Sequence, residues 1–372
     1  IGQSIKTNEL TPPSVVVAEF LEVLQAFYGA GDIVVSHPLH PFSRKYFEDG
    51  GTSRLFSYDS YGCRTAQKLH QSRGISQAWW QGEINGGRED IIQLDDLLRF
   101  FSNPQKYFVR ECLGINLETG EELPDERELF SLAGLEKYFV EQDMISAEVA
   151  GSAGDCFEKF RAEGRYPLGR PGEVGFTTQK VPIERFVERV RGLGMGSRRE
   201  DRPIDMELGN FHLTGNLSNL YENGVLLLRY GKLRGRDLLA GWIHQLVASS
   251  VLGNVSTKVI TPETTISFEN VTEGPTLLRL VDIFTQGCRL PLQLYIEPAY
   301  DYAMQAVKQR ARISPLDKAL QSFASRLEKG YEPELELLVG ASSSEDYLTS
   351  EFEQLCHEIM IPILGQSDEI RI

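Results

Sequence analysis

The chain has 372 residues, 41% of them hydrophobic, enough for a substantial core and for two or three domains. With 53 acidic residues against 38 basic, its net charge of −15 opposes broad adhesion to a polyanion but leaves room for a local basic channel. No apolar run approaches the roughly 18 residues of a membrane span and no leader is visible, so the sequence reads as soluble and cytoplasmic; the five cysteines, Cys63, Cys112, Cys156, Cys288 and Cys356, are far apart, odd in number and without a CxxC pair, which argues against a disulfide framework and a zinc site.

The opening IGQSIKTNEL reads as a fragment cut from something larger. Residues 12–27 predict a helix, with Pro12 and Pro13 at its start, Gly29 past its end, and Val16, Phe20, Val23, Leu24 and Phe27 on one face. From Tyr28 to about Arg88 the periodicity fails, as in a connecting segment with few regular elements. His37 and His40 form an HxxH pair there, but no carboxylate or cysteine accompanies them, so turn-forming polar residues fit better than a metal site. Trp79 and Trp80 are either an exposed anchor for a partner or core residues.

A new domain begins near Ile91. Leu94, Leu97, Leu98 and Phe101 make an amphipathic helix, which Asn103-Pro104 breaks before a second helix with Tyr107, Phe108 and Cys112. Glu118 to Glu128 is an acidic loop, helices are predicted over 130–149 and 154–163, and Tyr166 to Phe176, dense in glycine and proline, predicts a shaped loop. A helix over 182–191 ends at Gly192, Gly194 and Gly196. This GLGMGS run reads as a glycine cap and turn rather than a phosphate loop, because a helix and not a strand precedes it. GxxxxGK(S/T) does not occur, so no nucleotide site is expected.

The stretch from Glu207 to Asp237 reads as two strands joined by a tight turn and running into a helix. Phe211 to Leu217 alternates, Glu222-Asn223-Gly224 supplies turn chemistry, and Val225 to Tyr230 is a nearly continuous apolar run ending in a basic loop. The helix that follows, to Leu252, carries Leu239, Trp242, Ile243, Leu246 and Val247 on one side. Further strands are predicted at Thr257 to Thr261, Thr265 to Phe268 and Leu292 to Ile296, and helices at 275–287, 300–312, 315–329 and 345–359. This order is α/β, with a mixed sheet and flanking helices. Basic residues form three islands: Arg189, Arg191, Arg198, Arg199 and Arg202; Arg229, Lys232, Arg234 and Arg236; Lys308, Arg310 and Arg312. Each alone reads as a solvated face, and its value depends on what the fold brings together.

The runs VSHPLHPFSRKYF and LFSYDSYGCR, the segment LDDLLRFFSNPQKYFVREC, the loop Tyr166 to Val174 with TTQ at 177–179, and LLAGWIHQLV occur in an order and spacing that resemble the RecC family. These are the gamma subunits of exodeoxyribonuclease V, the RecBCD helicase and nuclease, and the resemblance covers almost the whole chain as a C-terminal third. It implies the tail of a helicase-like domain at residues 1–30, a connecting segment at 31–90, and over 91–372 a restriction-endonuclease-like domain that is an inactive nuclease. It also implies a noncatalytic, DNA-guiding role at a duplex end or fork in recombinational repair, with RecB-like and RecD-like subunits as partners in a heterotrimer.

An active nuclease of that fold places GxxD at one strand and D-x-K at the next, two carboxylates holding Mg²⁺ and a lysine stabilising charge on the phosphate. Laid on this chain from Gly215, the template puts Ser218 at the first carboxylate, and counting from Gly224 puts Tyr230 at the second; only Lys232 survives. Asp205, Glu207, Glu222 and Asp237 read better as a solvated strand edge, turn chemistry and a helix N-terminal acid than as displaced ligands. No histidine lies between His70 and His212, and His244 reads as a packed helix residue. Asn103 stands where a related family uses a cysteine for an iron–sulfur cluster, so no cluster, metal or other cofactor is expected. Lys232 and Arg234 are the leading candidates for phosphate contact, followed by Arg236, Arg198 and Arg199. The alternatives are a metal-dependent DNA exonuclease with displaced carboxylates and a purely protein-interaction module.

Overall fold

The computed structural model describes residues 37–47, 55–71, 80, 82–84, 90–117, 132, 134–149, 151, 156–308, 312–330, 332–340 and 344–371. The helix expected over 12–27, Trp79, the acidic loop at 118–128 and Arg310 lie outside them. The chain divides into two units, Ile1–Ser76 and Gln77–Ile372. In the first, a 3₁₀ turn at Arg44–Tyr46 is followed by helix α1 (Ser60–Gln71), at whose start the Asp59 carboxylate accepts from the Tyr61 N–H at 2.9 Å.

The second unit opens with β1 (Ile91–Gln93) and α2 (Leu94–Ser102), which buries Leu94, Leu97, Phe100 and Phe101. Asn103 ends α2 and caps α3 (Pro104–Tyr107): its side chain accepts from the Lys106 N–H at 3.0 Å, and Pro104 sits in the first turn, where its missing N–H costs nothing. The helix runs on as one π turn, Phe108–Cys112, closed by the Leu113 N–H on the Phe108 carbonyl at 3.0 Å. Helices α4 (Gly134–Val149), α5 (Cys156–Ala162) and α6 (Arg170–Gly192) then build a layer around Val140, Met144, Phe160, Ile183, Phe186 and Val187. Helix α6 corrects two expectations: the loop over 166–176 holds only for 166–169, and the helix expected from 182 starts at Arg170. Pro171 falls in its first turn, the hydroxyls of Thr177 and Thr178 return to the carbonyls of Glu173 and Val174, and Pro182 lies inside the helix. The hydrogen bond lost at Pro182 is offset by the burial of Ile183, Phe186, Val187 and Val190.

The strands fall into two sheets. β2 (Arg202–Leu208) and β3 (Phe211–Leu217) form an antiparallel hairpin, and β1 joins β3 in parallel, in the order β1-β3-β2. β4 (Leu220–Tyr221) and β5 (Gly224–Leu228) form a second, tighter hairpin around Glu222-Asn223 and begin a five-stranded sheet. The two strands read at 211–217 and 225–230 therefore lie in different sheets. The chain passes between the sheets at Ser218-Asn219, where Asn219 has φ 57°. Leu217 and Leu220 both enter the same core although they are three positions apart, a spacing that puts side chains on opposite faces of a regular strand, so the kink inserts one residue, as a bulge does.

Parallel pairing of β5 with β6 (Ser256–Ile260) requires a crossover, and α7 (Gly235–Leu252) supplies it. β7 (Thr264–Phe268) returns antiparallel. Helix α7 approaches the sheet at Gly241, where a Cβ would stand 2.6 Å from Val259 Cγ2 and 2.8 Å from Phe268 Cε2. Next to it, Trp242 meets Phe268 edge-on and donates its Nε1–H to the Pro275 carbonyl at 3.0 Å. His244 is buried in the same helix, 2.7 Å from the Ala240 carbonyl through Nδ1, and burial lowers its pKa.

Helix α8 (Leu277–Gly287) is capped by Thr276. The strand expected at 292–296 is absent from the sheets of the described residues: the Leu292 and Leu294 carbonyls, two apart and on one side, accept from the buried Gln105 side chain at 3.0 and 3.2 Å. Then follow α9 (Ile296–Ala306), α10 (Pro315–Glu328) and α11 (Pro333–Val339). In place of one helix over 345–359 the structure has α12 (Ser350–Leu355), a π turn (Cys356–Met360) and α13 (Ile361–Gly365), before β8 (Asp368–Arg371) pairs antiparallel with β7.

Two outcomes follow for α7. Gly241→Ala overpacks the helix against β6 and β7 and lowers stability by about 1–3 kcal/mol in urea unfolding, whereas Gly192→Ala, with nothing within 4 Å of its Cβ, is neutral or stabilising by up to about 1 kcal/mol. His244 is held neutral in the fold and titrates at about 6.5 when unfolded, so its contribution is present above that pH and is lost as pH falls through the lowered folded value. Unfolding midpoints measured from about pH 7.5 to 5.5 fall in the wild type, and His244→Leu removes that part of the slope.

Candidate nucleic-acid interface

Strand β5 is buried on both faces, and its alternation decides where the following loop points. Val225 and Leu227 pack in the core that contains α7, while Leu226, Leu228 and Tyr230 pack with α4–α6. The Tyr230 ring meets Phe186 edge-on with centroids 5.4 Å apart. Burial, then the Glu141 carboxylate, pushes the Tyr230 phenol pKa up. The ring borders an open cavity of about 530 Å³ lined also by Lys137, Glu141, Thr178 and Gln179.

Arg229 turns the other way. Its Nε lies 2.8 Å from Asp237 Oδ2 and 3.0 Å from the Lys232 carbonyl, and the same Asp237 oxygen accepts from the Arg234 N–H at 3.0 Å, capping α7. Both side chains of this ion pair are largely covered; burial raises the Asp237 pKa against the opposing pull of Arg229. Glu297 fixes the loop further by accepting from the Gly235 N–H at 3.2 Å. Burial first, then Arg236 and Arg229, lower the Arg234 pKa, so three guanidinium groups share this end of the sheet. Lys232 and Arg234 are exposed and Arg236 is half-buried, all at the N-terminus of an 18-residue helix whose dipole adds positive potential.

Ser218 lies at the kink between the sheets. The Leu226 N–H donates to the Asn219 carbonyl at 3.1 Å, which sets Ser218 level with Leu227, and Tyr230 is three residues further, about 10 Å at the rise of a strand. The hydroxyl of Ser218 accepts from the Asn219 side chain at 3.4 Å. Tyr230 and Lys232 thus share one loop, and Ser218 stands apart from them along the ladder.

Asp205 and Glu207 occupy the exposed face of β2, with His212 Nδ1 3.8 Å from Asp205. Glu222 is exposed in the β4–β5 turn. The GLGMGS run is built into this turn: the Gly194, Met195 and Ser197 carbonyls accept from the Asn223 side chain, the Asn223 N–H and the Glu222 N–H at 2.8, 3.1 and 3.1 Å. Gly196, at φ 76°, has no room for a Cβ, which would stand 2.4 Å from Glu222 Oε2. The run therefore offers carbonyls to its neighbours, the opposite of a phosphate cradle.

The first basic island divides. Arg189 donates to the Thr261 and Pro262 carbonyls, and Arg191 to the Glu148 carbonyl at 2.7 Å, so both hold the fold together. Arg198 and Arg199 extend the sheet beside β4, the Arg199 N–H donating to the Leu220 carbonyl at 2.8 Å, with both side chains exposed. Leu220 pairs with Val225, so these arginines stand level with the start of β5, about 13 Å along the strand from Arg229. In the third island Lys308 bonds the Gln305 side chain at 3.2 Å.

The remaining candidates have local partners. His37 Nδ1 lies 3.0 Å from the Tyr46 hydroxyl, and His40 stacks on Phe42 at 5.0 Å. Trp80 is half-buried, meets Phe108 edge-on at 5.7 Å and donates to the Gly82 carbonyl at 2.6 Å, which settles it as a packed residue rather than an exposed anchor. Among the described residues, no three His, Cys, Asp or Glu side chains are grouped to hold a metal ion, and no helix is long and apolar enough to cross a membrane.

The RecC C-terminal domain family matches residues 89–307, more than half of the chain. Among curated proteins, the chain is 24% identical to the RecBCD enzyme subunit RecC of Escherichia coli (strain K12), over 99% of this chain and 34% of that protein. The subunits of the same name from Mycolicibacterium smegmatis and Haemophilus influenzae are 26% and 23% identical, covering 81% and 83% of this chain and 29% and 27% of theirs. The chain thus spans about a third of the length of the relatives it matches. Family match and coverage agree, and the chain belongs to the RecC family as a C-terminal portion.

Proposed function

We propose that residues 91–372 form a restriction-endonuclease-like domain without nuclease activity, preceded by a connecting segment at 31–90 and the tail of a helicase-like domain at 1–30. In this reading it serves as a noncatalytic scaffold that guides a DNA duplex end or fork, beside RecB-like and RecD-like subunits, in cytoplasmic DNA end processing for recombinational repair. The strand path supports it: β2, β3 with its continuation β4, and β5 alternate in direction, and a crossover helix leads to parallel β6.

The observation that carries the reading is the treatment of charge at the end of β5. The positions aligned with the metal ligands hold the hydroxyls of Ser218 and Tyr230, which do not compete with water for a hard cation. The carboxylate that meets this strand end, Asp237, is neutralised by Arg229 and spent as a helix cap. What remains exposed is positive, Lys232 and Arg234, with Arg236 beside them, and such groups at a helix N-terminus suit phosphate. Arg198 and Arg199 offer a second, separate contact.

A second reading, a protein-interaction module, draws on the exposed apolar residues Phe139, Leu168 and Val174 of the helical layer, 57%, 68% and 61% accessible. Binding of forked DNA by the subunit without its partners separates the two: the scaffold reading expects it. With Lys232→Ala and Arg234→Ala combined, the slope of log affinity against log salt flattens by roughly one to two, at about 0.9 per phosphate contact. An unchanged slope removes these residues from the DNA path. Degradation of DNA with Mg²⁺ or Mn²⁺ that is lost in Asp205→Ala would establish a nuclease with displaced carboxylates instead.

A further inference from the structure

Cys112 and Cys288 are remote in sequence and adjacent in the fold. Both thiols are half-buried and border one open cavity of about 620 Å³, whose lining includes Asp96, Tyr107, Glu111 and Arg289. The π turn is what aims Cys112. In a continuous α-helix the residue one turn beyond Tyr107 is Glu111; the wider turn at Phe108–Cys112 brings Cys112 toward that line instead. On α8, Phe284 and Cys288 are one turn apart, and the Cys288 N–H donates to the Phe284 carbonyl at 2.9 Å. The Tyr107 and Phe284 rings meet edge-on at 5.6 Å. Two stripes therefore lie side by side, ring against ring and thiol against thiol, and a side-chain hydrogen bond joins Cys112 to Cys288.

That hydrogen bond lowers the Cys112 pKa, against the effect of burial, which favours thiolate at a site open to small reagents. The other cysteines of this unit differ. Cys156 and Cys356 are buried, and burial raises the pKa of both thiols.

We propose that Cys112 and Cys288 are a redox pair that closes reversibly to a disulfide by exchange with a small, uncharged or cationic organic disulfide admitted to the cavity. The Cys112 thiolate attacks one sulfur of the reagent, forming a mixed disulfide and expelling one thiolate. Cys288 then gives up its proton to solvent and attacks Cys112 Sγ, expelling the second thiolate. Two protein thiols lose two electrons, and the reagent gains them as two thiols. At the cavity wall Arg99 pairs with Asp96 and Glu111, and Arg289 with Glu83; with Asp282 the acids outnumber these two cations, which disfavours an anionic reagent. The bond ties the π turn after α3 to the end of α8 and closes a long loop, a constraint on the unfolded chain.

The test incubates the native chain with cystamine, blocks residual thiols by alkylation, and maps peptides by mass spectrometry. The expected result is one crosslinked peptide joining Cys112 to Cys288, a mixed adduct at most on half-buried Cys63, a higher thermal midpoint that Cys63→Ser retains, and reversal by dithiothreitol. Cys288→Ser is expected to stop at the first step, carrying cysteamine on Cys112 with no rise in midpoint; the glutathione disulfide reaction of the wild type is several-fold slower. A folded wild type that retains all five thiols, or that gains only mixed adducts without the crosslink, overturns the proposal.

Discussion

The contact between α7 and the sheet at Gly241 is the constraint from which the rest of the larger unit follows. Pairing β5 and β6 in parallel demands a crossover helix, and the absence of a Cβ at Gly241 lets that helix sit directly on Val259 and Phe268. With α7 on one face and α4–α6 on the other, β5 has no solvent-facing side, and its run of apolar residues is the consequence. Polar chemistry is thereby displaced to the residues after the strand. There the same alternation that sorts Leu226 from Leu227 sends Tyr230 into the helical layer and Arg229 toward Asp237.

This explains how a chain of net charge −15 presents cations at a defined place. The loop from Arg229 to Asp237 is held by an ion pair, a capping carboxylate and the Glu297 contact, so Lys232 and Arg234 emerge from a braced loop and not from a flexible tail. Arg189 and Arg191, equally basic by sequence, are consumed by backbone carbonyls. Counting arginines in a segment thus overstates what it offers a polyanion; the accessible set is the one left after the fold has taken its share.

Local patterns were legible in the sequence and distant ones were not. The apolar stripe of α7, the turn at Glu222-Asn223 and the stop at Asn103-Pro104 follow from periodicity, turn chemistry and capping, all short-range. The loop read over 166–176 stops at Gly169, because the proline and glycines beyond it are compatible with a helix when Pro171 takes the first turn. The segment 292–296 misled for a different reason, since Gln105, far away in the chain, takes the carbonyls a strand would need. The template positions Ser218 and Tyr230 were found by counting, but the bulge at Asn219 changes what stands opposite what, and counting cannot see a bulge. The adjacency of Cys112 and Cys288 left no signal in their spacing at all.

Helix α8 shows why such long-range features gather where they do. Its first turn is held by Arg279, which donates two hydrogen bonds to Glu358, and its end by Cys288 beside Cys112. Glu358 and Cys112 both belong to π turns, Cys356–Met360 and Phe108–Cys112, in helices otherwise unrelated. A π turn gives up regular helix geometry to shift every following side chain by one position. Here each shift directs a polar group onto the same helix, so the loss of regularity in two places is offset by contacts at the two ends of a third element. Pro362, which has no N–H to donate, already disturbs the regular ladder after the second turn. The contacts made by Glu358 and Cys112 add a long-range cause to that local one, which is where local sequence ceases to be sufficient to determine structure.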